Sequence, residues 1–211
     1  MSSLRHLLAR RKITKARFRF PLTTEQAVDV LTASYQVEVE YRGRAFSADA
    51  QTAGNIRRVA ECLTAEKPRF GILLCGMSGN GKTTMLYAFR SALNWMNDSG
   101  MFSDRRTGMR IEFAKDITAS ARQQEYLLSI RGLPMLAIED MGREPTEVMD
   151  YGNVTSPVVD LLEYRYDNQL FTFITTNLTP KEIREKYGTR IADRFNEMLN
   201  VIIFKNQTYR K

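Results

Sequence analysis

The chain is poor in the residues that hold metals or close disulfides: among 211 residues there are two cysteines, Cys62 and Cys75, and one histidine, His6. The cysteines lie thirteen positions apart with no histidine near either, so no cluster has the spacing or partners of a zinc site. Cys75, at the end of an apolar run, is expected to pack as a small apolar residue in a reducing compartment. No run approaches the roughly 18–20 apolar residues of a membrane span, and the basic N-terminus lacks the apolar centre of a signal peptide. These shortages point to a soluble, cytoplasmic protein with no structural metal and no membrane partner. Acids are missing from residues 1–20, where Arg5, Arg10, Arg11, Lys12, Lys15, Arg17 and Arg19 carry the whole net charge of +7; the other 24 basic and 24 acidic residues cancel. Such an arm tracks a polyanion such as nucleic acid, remains a solvated tail, or docks on a partner through the short apolar edge of Leu4, Leu7 and Leu8.

What is present is enough apolar residue, 43% of the chain, for one α/β core. Residues 1–48 read as a basic arm and a small N-terminal extension, and residues 49–211 as the main domain. In the extension, Thr23 and Gln26 form a capping-box pattern that opens a helix to about Ala33. Tyr35, Val37, Val39 and Tyr41 then alternate with polar residues, which predicts a strand. A helix is expected over 49–65, with Ile56, Val59, Ala60 and Leu63 on one side. From residue 70 the pattern alternates: strand 70–75, helix 82–97, strand 109–114, helix 116–130, strand 134–139, helix 156–168, strand 170–176, two short helices in 180–198 and strand 200–204. That order predicts a three-layer α/β fold, a parallel sheet with helices on both faces.

Between the first of these strands and its helix stands Gly76-Met77-Ser78-Gly79-Asn80-Gly81-Lys82-Thr83, which fits G-x-x-x-x-G-K-[ST]. Glycines let backbone N–H groups turn inward around phosphates at the positive end of a helix. Lys82 adds a point charge, and the Thr83 hydroxyl is placed to ligate Mg²⁺. The expected cofactors are ATP and Mg²⁺, and Gly76 to Thr83 together with Thr84 are the predicted nucleotide contacts.

On a parallel sheet the ligand lies at the carboxyl ends of the strands. The strand of Met135 to Ile138 ends in Glu139 and Asp140, a Walker B pattern in which Glu139 holds the metal and Asp140 orients an attacking water. The strand of Phe171 to Thr176 ends at Asn177, an amide able to bridge water and the γ-phosphate; Asn-x-Thr-Pro is also an ordinary turn and helix start. Further on, Arg190 and Arg194 share one helix face. They can offer a guanidinium to a neighbouring subunit's nucleotide or pair with Asp193, Glu185 or Glu197.

Taken with Ile138-Glu139-Asp140-Met141-Gly142, Tyr164-Arg165-Tyr166, Ile174-Thr175-Thr176-Asn177-Leu178 and Tyr187 to Arg194, the phosphate loop occurs in the order seen in the DnaC/IstB family of AAA+ ATPases, and the chain resembles that family over about residues 50–211. The resemblance implies the P-loop NTPase fold of the AAA+/ASCE type, without a C-terminal helical lid. It also implies ATP-dependent homo-oligomers, DNA as ligand, single-stranded above all, and a replicative helicase or a transposase as partner. Asn177 would be the first sensor, Arg194 the arginine finger in trans, and Arg190 the second choice. The family usually carries Asp-Asp where Glu139-Asp140 stands, which implies slow hydrolysis. The N-terminus matches neither a helicase-binding nor a transposase-binding domain, so both partners stay open.

The expected function is therefore an ATP-hydrolysing factor acting on DNA in replication, in the manner of a helicase loader. The alternatives are a transposition ATPase and an ATP-gated adaptor that does not turn over. A nucleotide kinase would call for an arginine-rich lid over its acceptor, and a GTPase for an Asn-Lys-x-Asp segment after the fourth strand.

Overall fold

A computed structural model describes residues 17–47, 49–102, 107–150, 153–206 and 208–209. Most of the basic arm, residues 1–16, lies outside them. Where the description begins, the chain is already tied down: Arg17 donates to the Pro68 carbonyl at 2.9 Å, and Phe20 is fully buried, stacked on Phe89.

Five parallel strands form the sheet: β1 (Gly71–Gly76), β2 (Arg110–Phe113), β3 (Met135–Met141), β6 (Phe171–Thr176) and β7 (Asn200–Phe204), in the spatial order β2-β3-β6-β1-β7. Alternation along β1 separates the two faces. Ile72 and Leu74 enter one core with Leu86, Phe89 and Phe173; Leu73 and Cys75 enter the other with Ile138, Ile174, Phe195 and Met198. Helices α1 (Thr24–Tyr41), α2 (Ala50–Thr64) and α3 (Lys82–Asp98) contribute to the first core. The second takes side chains from α4 (Ala114–Ala119), α5 (Gln124–Arg131), α6 (Pro157–Asp167) and α7 (Pro180–Met198). The predicted three-layer α/β class is borne out, and burial pushes the Cys75 thiol up to about 11, as expected of a packing residue.

Two local expectations are corrected, and one element is new. Residues 35–41 are not a strand but the second half of α1, which the Thr23/Gln26 capping box opens as predicted. Ala27, Leu31 and Tyr35 recur every four residues and bury against α3, while Val37 is 59% exposed. The alternation that suggested a strand is overridden by this i, i+4 stripe, since Tyr35 and Val39 also stand four apart. The helix expected over 116–130 is broken at Ser120, whose N–H bonds back to Asp116, and restarts at Gln124. Between β3 and α6 an antiparallel hairpin, β4 (Val148–Asp150) with β5 (Asn153–Thr155), fills a stretch that carried no expectation.

Arg165, in the centre of Tyr164-Arg165-Tyr166, is wholly buried and structural. It donates to the carbonyls of Arg131, Leu133 and Phe171 and to the Thr172 hydroxyl at 2.6–3.1 Å, joining α6 to β6 and to the turn before β3. Burial lowers its guanidinium to about 10, so it remains charged at neutral pH.

Candidate functional site

The ends of β1, β3 and β6 open into one cleft of about 900 Å³. The loop after β1 folds over its own lysine. Lys82 Nζ donates to the carbonyls of Gly76 and Met77 at 2.6 and 2.7 Å, to Asn80 Oδ1 at 3.1 Å and to Asn177 Oδ1 at 3.0 Å. Asn80, buried, also donates to the Phe204 carbonyl at 2.9 Å and pins the loop to β7. Gly81 caps α3 with φ of 95°, and a Cβ there would stand 2.3 Å from the Tyr35 hydroxyl, so both conformation and space require glycine. Residues 78–84 line the cleft; Gly76 and Met77 lie at the loop's base, and the Met77 side chain is 73% exposed.

In a regular strand Glu139 and Asp140 would point to opposite faces. Here the pairing of β3 with β6 shifts between Ile138 and Met141, and Asp140 takes a left-handed φ of 55°, its N–H donating to Thr175 Oγ1 at 3.1 Å. This irregularity brings both carboxylates to the cleft. Glu139 is buried, with its pKa raised chiefly by desolvation; the nearby Thr83 and Tyr87 hydroxyls and the Arg42 charge work the other way. Among the described residues its Oε2 has no hydrogen-bonding partner. A buried, unpartnered carboxylate oxygen beside the Thr83 hydroxyl suits a hard divalent cation, which takes oxygen ligands and supplies the missing charge. Thr83 and Glu139 therefore fit Mg²⁺. Asp140 faces Arg143 at 3.2 Å.

Asn177 reaches the site as expected. Arg190 and Arg194 do not line it. Gly188 interrupts α7 with φ of 84° and ψ of 164°, and beyond that kink both arginines turn to Glu163 on α6, at 3.0 Å each. Arg194 adds Asp167 at 3.6 Å and lies 4.8 Å over the Tyr166 ring. Ion pairing is thus observed, with Glu163 and Asp167 rather than with Glu185 or Glu197. Asp193 pairs instead with Arg184.

Several cleft residues carried no sequence signal. Tyr35, Arg42 and Arg44 come from α1 and the turn after it, and Asp49 and Thr52 from the start of α2. Tyr209 lies across the loop: its N–H donates to the Gly79 carbonyl at 2.9 Å, and its hydroxyl meets Asp49, Thr52 and Asn206. These residues are distant in sequence and belong to no motif, so only packing reveals them. On the opposite side, Glu144 accepts from the Gly142 N–H and the Tyr187 hydroxyl, tying the segment after β3 to α7.

A phosphate-type loop after β1, two carboxylates at the end of β3, with β6 lying between those two strands, define a P-loop-type α/β domain. No family model matches the chain. A curated relative, the replicative helicase loader DnaI of Bacillus subtilis (strain 168), is 29% identical over 120 residues, 56% of this chain but only 36% of that protein's length. Among solved structures, DnaI superposes with a TM-score of 0.60 at 22% identity, over 86% of this chain and 93% of that one. The DnaC helicase loader gives 0.56 at 18%, over 76% and 93%. The replication initiator DnaA bound to AMPPCP and single-stranded DNA gives 0.52 at 14%, over 77% and 48%. The DnaC-like AAA+ fold expected from the motifs is thereby established.

Proposed function

We propose that this protein binds and hydrolyses ATP and uses the cycle to assemble on single-stranded DNA and deliver a replicative helicase. The observation that carries the reading is the convergence of Lys82, Thr83, Glu139, Asp140 and Asn177 on one cleft from the ends of three neighbouring strands. Similarity to a helicase loader over 120 residues supports replication over transposition.

Loop N–H groups and the Lys82 ammonium hold the β- and γ-phosphates, which requires Lys82 to exchange loop carbonyls for phosphate oxygens. Mg²⁺, held by Thr83 and Glu139, would supply charge neutralisation across the phosphates. Asp140 orients the attacking water, and Asn177, already 3.0 Å from Lys82 Nζ, positions it against the γ-phosphate. Arg194, with Arg190 behind it, completes the site of an adjacent subunit after leaving Glu163. A second reading, an ATP-gated adaptor, is favoured by the Asp140 to Arg143 pair, which occupies the water-orienting carboxylate.

The site is tested by titrating a fluorescent ATP analogue into the wild type and Lys82→Ala, followed by single-turnover hydrolysis. Saturable binding lost in the variant supports the assignment; equal affinity in both overturns it. Binding without turnover selects the adaptor. Co-purification of the native protein with a ring helicase supports the loading role, and with a transposase the alternative.

A further inference from the structure

Resting on the ATP-binding reading, we propose that Arg42, at the end of the N-terminal helix, is a nucleotide-discriminating residue that binds the γ-phosphate within its own subunit. Arg42 lines the cleft although forty residues separate it from Lys82. It is the C-cap of α1, and that helix is held against α3, which begins at the phosphate loop, in two ways: through the buried stripe of Ala27, Leu31 and Tyr35, and through Ser91 Oγ donating to Glu38 Oε1 at 2.9 Å. The guanidinium is therefore carried on a rigid element rather than on a tail.

Its position selects one end of the cleft. Tyr87 stands one turn beyond Thr83 on α3, and the Arg42 guanidinium lies 5.7 Å from the centre of that ring. Glu139 borders the same place, close enough to feel the arginine's charge. In a loop whose lysine and threonine serve the β- and γ-phosphates, this is the end where the terminal phosphate lies. Arg44, by contrast, turns to the Tyr209 carbonyl at 3.4 Å.

The donors of Arg42 are unevenly used. Nη1 donates to the Glu38 carbonyl at 2.6 Å and approaches Glu38 Oε2 at 3.4 Å; Nε and Nη2 have no hydrogen-bonding partner among the described residues. A planar fork anchored at one nitrogen with two sides unspent is suited to a phosphate oxygen. The side chain is 35% exposed, so it can turn inward at the low cost of a solvent-facing ion pair. ADP offers it nothing at that end, whereas ATP does, and differential affinity is what lets a ligand shift a protein between states.

The experiment measures Kd for ATP and ADP, each with Mg²⁺, on the wild type, Arg42→Ala and Arg42→Gln, with melting curves. Glutamine retains a donor for the Glu38 carbonyl but removes the charge. Both variants should weaken ATP by about tenfold or more, as expected of a charge-assisted contact, and leave ADP within about twofold. An unchanged ATP-to-ADP ratio in Arg42→Gln overturns the proposal, and a fall in Tm alone would leave Arg42 as a helix cap. Failure of the wild type to bind either nucleotide would instead remove the ATP reading on which the proposal rests.

Discussion

Replacing Arg194 by alanine separates a catalytic role from a structural one by magnitude. The side chain is 16% exposed, pairs with Glu163 at 3.0 Å and overlies Tyr166. Its Nη1 is buried and, among the described residues, makes no aligned hydrogen bond despite that distance, so the contact is one of charge rather than direction. Losing one partner of a largely buried pair of this kind costs about 1–3 kcal/mol, a fall in Tm of about 2–12 °C for a domain of this size. If the ion pair is all Arg194 does, nucleotide binding and turnover persist. If it completes a neighbouring site, hydrolysis drops by a factor on the order of 10³, about 4 kcal/mol of barrier, while ATP binding stays near normal. The assay is steady-state ATP hydrolysis at protein concentrations spanning assembly, alone and mixed with Lys82→Ala. Each variant supplies the half-site that the other lacks, so mixtures should regain turnover. Wild-type activity for Arg194→Ala alone, with no effect of mixing, would refute the finger and leave the Glu163 pair as its whole role.

Two further outcomes are expected. Arg165→Ala strips a buried guanidinium from three carbonyls, each left at a cost of about 1 kcal/mol or more, and should lower Tm by about 6–12 °C in a thermal melt; a change under about 2 °C would mean that water replaces the guanidinium at all three. Deleting residues 1–16 removes Arg5, Arg10, Arg11, Lys12 and Lys15 and spares the buried Phe20, so if the arm holds DNA the slope of log K against log salt should flatten by roughly 0.7–0.9 for each phosphate that the arm had neutralised. Unchanged DNA affinity and slope in the truncated protein would move any DNA-binding surface onto the rest of the chain.

Much of the fold was legible because its signals are local. A buried parallel strand needs a continuous apolar run, and 71–75 and 135–138 have one; a capping box needs four adjacent residues, as at Thr23 and Thr179. A local pattern misleads in the extension for the same reason. Within 35–41 the side chains alternate, and nothing in those seven residues reveals that α3 waits to bury Tyr35.

By itself, the sequence determined the phosphate loop, the order of strands and helices, and which strand ends carry Glu139, Asp140 and Asn177. These are short-range patterns in which residue type and spacing carry the physics. Tertiary structure decided what those residues face. The irregularity at Asp140 turns two consecutive carboxylates into one cleft, and the kink at Gly188 sends Arg190 and Arg194 to Glu163. The docking of α1 brings Arg42 into the cleft, because burying a helix stripe depends on two segments far apart in the chain, and no local pattern of either one records the other.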